Sequence, residues 1–503
     1  MIQTTFFATF LLLQMSATVS HGAITVAKRL IQDSSFSLEQ RVIKETNFPM
    51  EQGSKYNINI TEDGVYTFGY NTFSTPKEIA YDSFLFEHYD TLILSKGPYL
   101  IPKNKKFKYC GFVDENGMAD DRVIVSVIEH DKVRYSLRIT QKRDAAFNKH
   151  PYTEWHYANG ATLCGLSYFA DLCDEKHKTE FKNYIDTVLS WNRDHFELFR
   201  KQYNAGDLRT QNYRLFRCAM LDDSSAPALP YVEAAVRGRK EFRTLSDTMA
   251  VYVMEKQYRL KDGTLCRPEP KWTVWCDDMF MGGAFLCRYY DLTSEKKYLD
   301  EACRQAVLFY SHLIDTQSRL LYHAWNDSLQ EKVGACWGRA NGWYLWAVSD
   351  ILLRLQESGR LEKASDSSIE RQILTIHNSL IEQIAARQDD CGMLHQVLNR
   401  DDTYLETSAT CAYVFALSRA IRMGWLPKSY VPKARLGWKA IEQRISQDGV
   451  LSGICRSMSL QNDVEGYNSR ATAGNDPRGL GLFFMAAAES ALLEEYLNSS
   501  ADN

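Results

Sequence analysis

The larger, C-terminal part of the sequence carries an irregular repeat that restricts the fold more than any other feature. After Pro151 the chain is predicted to form amphipathic helices in pairs, and the first helix of each pair opens with a polar cluster. Successive clusters lie about 55 to 69 residues apart, which is the length of a helical hairpin with its loops. The clusters are Trp155–Asn159, Asp222–Asp223, Trp275–Asp278, Gly338–Trp343, Tyr404–Ser408 and Gly474–Asp476. Six such units predict a mainly α fold, an (α/α)6 barrel of paired helices over residues 149–503.

A different pattern occupies the preceding segment. From about Lys55 to Lys142, β-branched and aromatic residues alternate with polar ones, and turn residues such as those of Glu62–Gly64 interrupt them. We therefore predict a small antiparallel β-sandwich-like domain within residues 24–148, ahead of the barrel. Because nothing in it forms a catalytic cluster, we interpret it as an accessory domain for packing or for carbohydrate binding.

The first residues predict export. Phe6–Leu13 is a short apolar run, and small and polar residues follow it through Ala23, which is the pattern of a secretory signal over residues 1–23. The run is too short to span a bilayer, and no other stretch is apolar enough to do so. We therefore predict a periplasmic or extracellular protein without a membrane anchor.

Charge and cysteine usage argue against several other functions. The chain has 59 basic and 63 acidic residues, a net charge of −4, and no run of Lys and Arg that could neutralise phosphates. We therefore expect no nucleic-acid partner. Its 12 cysteines are scattered without a CxxC pair, so the sequence supports neither a zinc site nor a disulfide framework.

In the predicted barrel the inner helices start at one end, so the polar clusters converge on one cleft. Asp, Asn, Ser and Glu also cap helix N-termini, which is a sufficient explanation for any single cluster. Capping does not require the Arg of the fourth cluster, nor the other residues that flank the acids: Trp275, Trp325, Trp343, His323 and His395. Carboxylates, an Arg and aromatic walls in one cleft are typical of a sugar site, with the Arg able to hold a substrate carboxylate.

Two pairs of adjacent acids supply the candidate catalytic groups. In Asp277-Asp278 the two side chains point in different directions on a helix, so we expect Asp278 to cap the helix and Asp277 to face the cleft. Asp222-Asp223 poses the same choice. Two carboxylates brought together from different helices raise one pKa, which keeps one of them protonated as a general acid.

An ordered series of motifs covers roughly residues 150–490. It consists of Asp262–Arg267, Trp275–Gly282, Leu321–Trp325, Gly338–Trp343, His395–Gln396, Tyr404–Thr410 and Gly474–Gly479. Together these motifs resemble glycoside hydrolase family 105, the unsaturated rhamnogalacturonyl hydrolases, which are related to the unsaturated glucuronyl hydrolases of family 88. The resemblance does not extend to the β-rich segment.

The resemblance implies a hydrolase that removes the terminal 4,5-unsaturated uronic acid from lyase-generated oligosaccharides. Pectin-type rhamnogalacturonan is the first candidate source, while galacturonate- and glucuronate-derived substrates both remain open. The family's general acid and base corresponds to Asp277, which would protonate C4 while water adds at C5. Spacing favours Asp222 as the assisting acid, with Asp223 as the alternative. No metal or organic cofactor is implied.

The resemblance also indicates the substrate-binding residues. It places His323, Arg339 and Trp343 in the substrate site, with Arg339 as partner of the uronate carboxylate and Trp343 as a stacking platform. It suggests Trp275 and Gln396 as further cleft residues.

The sequence departs from the family pattern at two motifs. Cys266-Arg267 stands where a His is expected after Asp-Gly-Thr-Leu, which we expect to alter the subsite for the rest of the oligosaccharide. Asp222–Ser225 lacks the Gly of the expected Asp-Asp-x-Gly.

Two other functions remain open. A lyase or an epimerase on the same fold would more naturally use His or Tyr as base. A non-catalytic carbohydrate-binding protein would tolerate the loss of Asp222 and Asp277, and both are present.

Overall fold

The computed structural model forms two compact units. It describes residues 19–32, 36–43, 50–51, 55–72, 77–80, 83–102, 105–115, 117, 119–120, 122–129, 132–137, 143–147, 151–204, 210–267 and 272–500. The first unit takes the described residues of Met1–Phe36, His150–Arg200 and Gln211–Asn503, and the second those of Ser37–Lys149 and Lys201–Thr210. The first unit is helical, which confirms the mainly α fold class. The predicted apolar signal run lies outside the described residues.

The helices bear out the paired pattern of the sequence. The α-helices of the described chain are His21–Gln32 (α1), Tyr157–Ala170 (α2), Glu175–Asp194 (α3), Phe196–Asn204 (α4), Tyr213–Arg217 (α5), Ser225–Val236 (α6), Arg243–Val251 (α7), Phe285–Thr293 (α8), Lys296–Leu313 (α9), Gly338–Glu357 (α10), Ile369–Ala385 (α11), Thr407–Arg422 (α12), Val431–Glu442 (α13), Val464–Asn468 (α14) and Pro477–Ser499 (α15). A π-helical segment, Met279–Ala284, leads into α8, and another, Tyr252–Lys256, follows α7.

Six of the helices in the described chain form a closed inner ring. In the order α2, α6, α8, α10, α12, α15, each packs against the next, and α15 returns to α2. The return contact is close, because a Cβ on Gly165 would lie 2.4 Å from the carbonyl oxygen of Gly481. Outer helices α3, α7, α9, α11 and α13 each follow and pack on the inner helix before them. The inner helices therefore run in one direction and begin at one end.

A sixth outer position is filled from the N-terminus. Helix α1 packs on α3, and it reaches the α13 side through a hydrogen bond from Ser20 to Glu442 (2.6 Å) and an ion pair between Arg29 and Asp448 (2.7 Å). Its buried face consists of Ala23, Val26, Ala27 and Leu30. The predicted end of the signal at Ala23 falls inside this helix, and the helix packs in the helical unit. The β-rich segment lies in sequence between α1 and α2.

The second unit contains the antiparallel strands. They are Glu39–Ile43 (β1), Met50–Glu51 (β2), Lys55–Ile60 (β3), Gly64–Asn71 (β4), Lys77–Ala80 (β5), Ser83–Leu85 (β6), His88–Leu94 (β7), Gly97–Tyr99 (β8), Tyr109–Val113 (β9), Val123–Glu129 (β10), Lys132–Leu137 (β11) and Arg143–Phe147 (β12). Two four-stranded sheets have the orders β11-β10-β3-β8 and β2-β9-β4-β7. Ile58 and Val123 of the first share a buried cluster with Phe68 and Phe112 of the second. The predicted sandwich is therefore seen in part.

Short strands connect the barrel helices and hold the loops ahead of the inner ring. They are Thr273–Trp275 (β13), Ala324–Asn326 (β14), Glu331–Val333 (β15), Leu394–His395 (β16), Leu405–Glu406 (β17), Ile454–Cys455 (β18) and Thr472–Ala473 (β19). Strands β13, β14 and β15 form one sheet, while β16 pairs with β17 and β18 with β19. Strands β13, β17 and β19 end within four residues of the inner segments that follow them.

The cysteines do not cross-link the chain. All twelve are free, and ten of them are buried. A buried free thiol packs as a small apolar side chain, which agrees with their scattered spacing. Across the described segments, none of the helices combines the length and apolarity needed to cross a bilayer.

A row of buried charges runs through the inner helices. Arg419 on α12 lies between Asp350 on α10 (3.0 Å) and Glu489 on α15 (2.6 Å). Arg288 on α8 lies between Asp350 and Glu233 on α6, both at 2.7 Å. Burial would raise the pKa of Asp350, but the neighbouring arginines hold it below its usual range. Five inner helices are thereby joined in sequence by charge pairs.

Helix α2 closes this row into a ring. The Tyr168 hydroxyl donates to Glu489 at 2.7 Å, and the Cys164 thiol contacts Glu233. In α2, α10, α12 and α15 the ring residue lies roughly three turns beyond the helix start. The inner ring is thus locked by polar contacts below the end at which its helices begin.

Breaking the charge ring should cost far more than breaking a surface ion pair. Asp350→Asn leaves two buried guanidinium groups short of a partner, so we expect about 3–5 kcal/mol of destabilisation. The control is Glu494→Gln, which removes the exposed 2.6 Å pair with Arg435 and should cost less than about 1 kcal/mol. Urea unfolding followed by far-UV circular dichroism measures both, and equal losses would contradict a supporting role for the ring.

Candidate active site

The polar clusters of the sequence stand together at the start of the inner helices, as the repeat predicts. They lie on or immediately before α2, α6, α8, α10, α12 and α15. Three of them contain plain helix caps. His156 Nδ1 accepts from the backbone N–H of Ala158 at the start of α2. The Glu406 side chain accepts from the backbone N–H of Ser408 and Ala409, and Asp476 accepts from the N–H of Arg478. Capping therefore accounts for Glu406 and for part of the role of Asp476.

Asp277 contacts His323, which in turn contacts a tyrosine. Asp277 follows β13, and the N–H of Cys276 donates to the His323 carbonyl at 2.8 Å, which fixes the two loops together. Asp277 Oδ2 and His323 Nε2 lie 3.3 Å apart, and these two buried atoms lack a well-aligned hydrogen bond. His323 Nδ1 lies 2.6 Å from the Tyr467 hydroxyl. The three groups form a continuous line that ends at the carboxylate.

The tautomer of a neutral His323 ring follows from its neighbours. Backbone N–H groups of Gln461 and Ala335 face the Tyr467 oxygen, so its own O–H is free to donate to Nδ1. Burial also raises the pKa of Tyr467, which keeps the hydroxyl protonated. A neutral imidazole then carries its proton on Nε2, directed at Asp277.

Arg267 links the neighbouring carboxylates. Its Nε and Nη2 donate to Asp278 at 2.9 and 2.6 Å, and Nη2 also donates to Asp222 at 3.0 Å. The guanidinium lies over the ring of Trp275, with 4.1 Å between its carbon and the ring centroid. The prediction that Asp278 caps its helix is wrong, because its carboxylate binds Arg267 and makes no cap hydrogen bond.

The adjacent acids Asp222 and Asp223 point in different directions. Asp223 is fully buried and pairs with Arg217 at 2.6 and 2.8 Å. Asp222 faces Arg267 and retains 21% exposure of its side chain. The structure therefore brings Asp222, and not Asp223, to the group that contains Asp277.

The two candidate acids have opposite pKa shifts. Burial, followed by the charges of Asp278, Asp277 and Asp223, raises the pKa of Asp222 to about 7 in spite of Arg267. Burial also acts to raise the pKa of Asp277, but the nearby His323 ring together with the charges of Arg267 and Arg339 holds it below the usual value. In the free protein near neutral pH, the proton of the pair thus resides on Asp222.

Most of the N–H groups of Arg339 that the structure shows paired donate to other residues of the protein. Its Nη1 donates to the Cys455 carbonyl and to Ser408 Oγ (3.3 Å), and its Nη2 donates to the Arg456 carbonyl at 2.8 Å. Nε is buried and has no partner within the described chain. The predicted role of Arg339 as partner of the uronate carboxylate would therefore rest on its Nε–H and on the second N–H of Nη2.

Two predicted cleft residues lie inside the protein. Trp343 is fully buried, with Phe280 at 4.5 Å and Trp346 at 5.8 Å between ring centroids, so packing occupies the faces that a stacking platform needs. Gln396 is also fully buried, where it accepts from Trp337 Nε1 and donates to Cys455 Sγ. In this structure both residues are packed in the interior beneath the cleft and have no surface for a ligand to contact.

Trp275 and His323 border the acids directly. Their rings meet edge to face with centroids 5.0 Å apart, and Trp275 carries Arg267 on its face. Trp275 is 9% exposed and His323 is fully buried. Both therefore orient charged groups.

Several residues at the site were not assigned from the sequence. Arg267 was noted only as a departure from the family motif, and Tyr157 and Arg478 stood within quoted motifs without a role. Tyr467, on the short helix α14, belongs to no motif, so no sequence signal could have linked it to His323.

Comparison with known proteins places the helical unit in a family. A model of Glycosyl Hydrolase Family 88 matches residues 131–493. The unsaturated rhamnogalacturonyl hydrolase YesR of Bacillus subtilis is 26% identical over 329 residues, which cover 62% of this chain and 83% of that protein.

Solved structures share the fold. A possible member of family GH105 from Klebsiella pneumoniae superposes with a TM-score of 0.59 at 20% identity, covering 71% of this chain and 87% of that one. A family 105 glycoside hydrolase of C. acetobutylicum gives a TM-score of 0.56 at 24% identity, covering 67% and 93%.

The matched region contains the whole inner ring except the last turns of α15, and it contains both candidate acids. The resemblance to families 105 and 88 that the motifs predicted is thereby confirmed. The chain belongs to glycosyl hydrolase family 88.

Proposed function

We propose that this glycoside hydrolase removes a 4,5-unsaturated uronic acid from the non-reducing end of oligosaccharides produced by a polysaccharide lyase. The observation that carries the proposal is the line Tyr467–His323–Asp277 beside the raised-pKa acid Asp222. Asp277 then lies 3.3 Å from an imidazole nitrogen and close to Asp222, whose pKa is raised to about 7. Such a pair can deliver one proton to carbon and then assist water.

The reaction proceeds by hydration of the C4=C5 double bond. The O–H bond of protonated Asp277 breaks as C4–H forms from the π electrons, and positive charge develops at C5 beside the ring oxygen. A water oxygen then bonds to C5, and one water proton passes to the Asp277 carboxylate. The resulting hemiketal opens and releases the rest of the oligosaccharide, so no glycosyl-enzyme forms.

Asp222 stores the proton that the pair Asp222–Asp277 shares before substrate binds. It holds a proton near neutral pH, whereas Asp277 is ionised in the free enzyme. A bound uronate brings a further negative charge to the cleft, which raises the pKa of nearby carboxylates. The charge of the substrate thereby favours the protonated form of Asp277 that the first step requires. The roles of Asp277 and Asp222 are those that the family resemblance indicated.

The proposed substrate is a pectin-type rhamnogalacturonan fragment. This proposal is supported by the relative from Bacillus subtilis, which is named an unsaturated rhamnogalacturonyl hydrolase. The match covers 83% of that relative. The catalytic fold we propose is an (α/α)6 barrel, with the β-rich unit inserted between α1 and α2. The partner is the oligosaccharide itself.

Asp277→Asn should abolish turnover without unfolding the protein. We expect kcat to fall by about 10²–10⁴, because the carbon-protonating group is lost. The loss of ultraviolet absorbance of the conjugated uronate measures turnover on lyase-generated rhamnogalacturonan fragments. Asp327→Asn, on the loop after β14, is the control and should stay active. Retained activity in Asp277→Asn would refute the assignment, and an inactive wild type would favour the lyase, epimerase or binding alternatives.

The pH dependence of kcat/KM should report Asp222. We expect activity to fall as the pH rises through about 7, because the acid pair then loses the proton that C4 must receive. In Asp222→Asn this ionisation is absent, so the decline near pH 7 should disappear from the residual activity. If the decline persists in this variant, another group carries the proton.

We also propose that the protein is exported, with signal cleavage ahead of α1. The predicted signal ended at Ala23, but α1 begins at His21 and Ala23 is fully buried in the helical unit. Cleavage after Ala23 would remove a packing residue of this helix.

N-terminal sequencing of the exported protein tests the position of cleavage. We expect the mature chain to begin no later than His21, because a later start would shorten α1. A mature chain that begins at Ile24 would contradict the proposal. If no exported chain is detected, the proposed export itself is wrong.

A further inference from the structure

We propose that strand β7 pairs with the same strand of a second copy of this chain, so that the protein forms a two-fold symmetric dimer through its β-rich unit. The strand covers His88–Leu94 and lies at one edge of the sheet β2-β9-β4-β7. No residue of the candidate active site belongs to this surface, so the dimer is independent of the proposed hydrolytic function.

The outer edge of β7 is free to accept another strand. All seven of its residues pair with β4, from His88 opposite Tyr70 to Leu94 opposite Gly64, and the register has no bulge. Among the strands that the structure describes, none pairs with the other edge of β7. An edge strand presents a row of unpaired backbone N–H and C=O groups, which can bind a further strand. β7 therefore offers a regular ladder of seven residues.

The sequence of β7 does little to block such pairing. The edge strands of the two four-stranded sheets are β2, β7, β8 and β11, and β7 is the longest of them. Proteins commonly protect an edge by making it short or by placing proline, lysine or a bulge in it. β2 has two residues, and β8 has three and contains Pro98, whereas β7 contains neither proline nor lysine. The acid of β7, Asp90, is neutralised by an ion pair with Lys105.

The outward face of β7 is uncharged and exposed. Leu92 and Leu94 pack toward the buried cluster between the sheets, so Tyr89, Thr91 and Ile93 point the other way. Ile93 is 87% exposed, and Val65, opposite it on β4, is 59% exposed. Exposed apolar side chains that adjoin one another mark an interaction surface, because their burial favours association.

The order of residues in β7 favours a second copy as the occupant. A two-fold axis at Thr91 pairs all seven residues in the antiparallel direction, with Thr91 opposite Thr91 and Ile93 opposite Tyr89. Thr–Thr and aromatic–β-branched pairs are favourable cross-strand neighbours. On the inner face Asp90 lies opposite Leu92, so like charges do not meet.

The adjacent register is less favourable. An axis one residue earlier would place Asp90 opposite Asp90 and would leave Ile93 and Leu94 without a partner in the strand. Like charges directly opposite each other destabilise a strand pair. The register about Thr91 is therefore the one that we expect.

Cysteine substitution tests both the partner and the register. In Thr91→Cys the two new thiols would face each other at the axis, where opposite Cβ atoms lie about 4.5–5.5 Å apart, so mild oxidation should join two chains. The matched control is Thr67→Cys, because Thr67 lies opposite Thr91 on β4. Its two copies would be three strand spacings, about 14 Å, apart, which is too far for a disulfide. Both variants carry Cys391→Ser, since Cys391 is the exposed native cysteine, and non-reducing electrophoresis measures the product.

Sedimentation velocity tests the dimer of the full chain without a cross-link. We expect the wild type to approach twice the mass of one chain as its concentration rises. Thr91→Lys should weaken dimerisation at least about tenfold, because two lysines would meet at the axis of the paired edge. Thr67→Lys should keep the distribution of the wild type.

Three results would overturn the proposal. They are a wild type that stays monomeric at its highest soluble concentration, a dimer that Thr91→Lys leaves intact, and equal cross-linking of Thr91→Cys and Thr67→Cys. If far-UV circular dichroism shows that Thr91→Lys does not fold, the comparison of the two cysteine variants decides. None of these measurements uses turnover, so an error in the proposed function would not change their meaning.

Discussion

The ring of buried charges is the contact on which the geometry of this protein depends. Arg288 and Arg419 each pair with two acids from neighbouring inner helices. The Tyr168 hydroxyl on α2 donates to Glu489 and so connects the last inner helix with the first. A buried ion pair adds little net stability over apolar packing, but a misaligned one is costly. Because each guanidinium must meet two carboxylates, the inner helices are held in one register. Their N-terminal ends therefore come level at the opposite end, where the acids converge.

The charged side chains at the two ends of the inner helices differ in how fully they are paired. In the ring each of Asp350, Arg419 and Glu489 has charged partners within 3.0 Å. At the other end several buried polar atoms of the described chain have no partner, including Arg339 Nε, Trp343 Nε1 and Arg478 Nε. Unsatisfied buried groups are rare in native proteins and concentrate where a ligand will bind. The charge ring supplies the rigidity that allows them.

The sequence predicted what depends on local pattern, and it failed where tertiary packing decides. Polar clusters at hairpin spacing located the starts of the inner helices, and the family motifs singled out Asp277, His323 and Asp222. The burial of Trp343 and Gln396 depends on neighbours from distant segments, such as Phe280 and Cys455, and no local pattern encodes it. The position of α1 in the outer ring was missed for a similar reason, because its apolar residues also fit the end of a signal sequence.

The opposite pKa shifts of Asp222 and Asp277 explain why the free enzyme holds its proton on one acid while the other acid is ionised. With the cleft free, Arg267, His323 and Arg339 keep Asp277 ionised, and the proton stays on Asp222. A neutral sugar would leave this distribution unchanged, because it brings no charge. An anionic uronate adds negative charge beside Asp277, which raises the pKa of nearby carboxylates. The proton is therefore drawn toward Asp277 by the substrate class that needs it there.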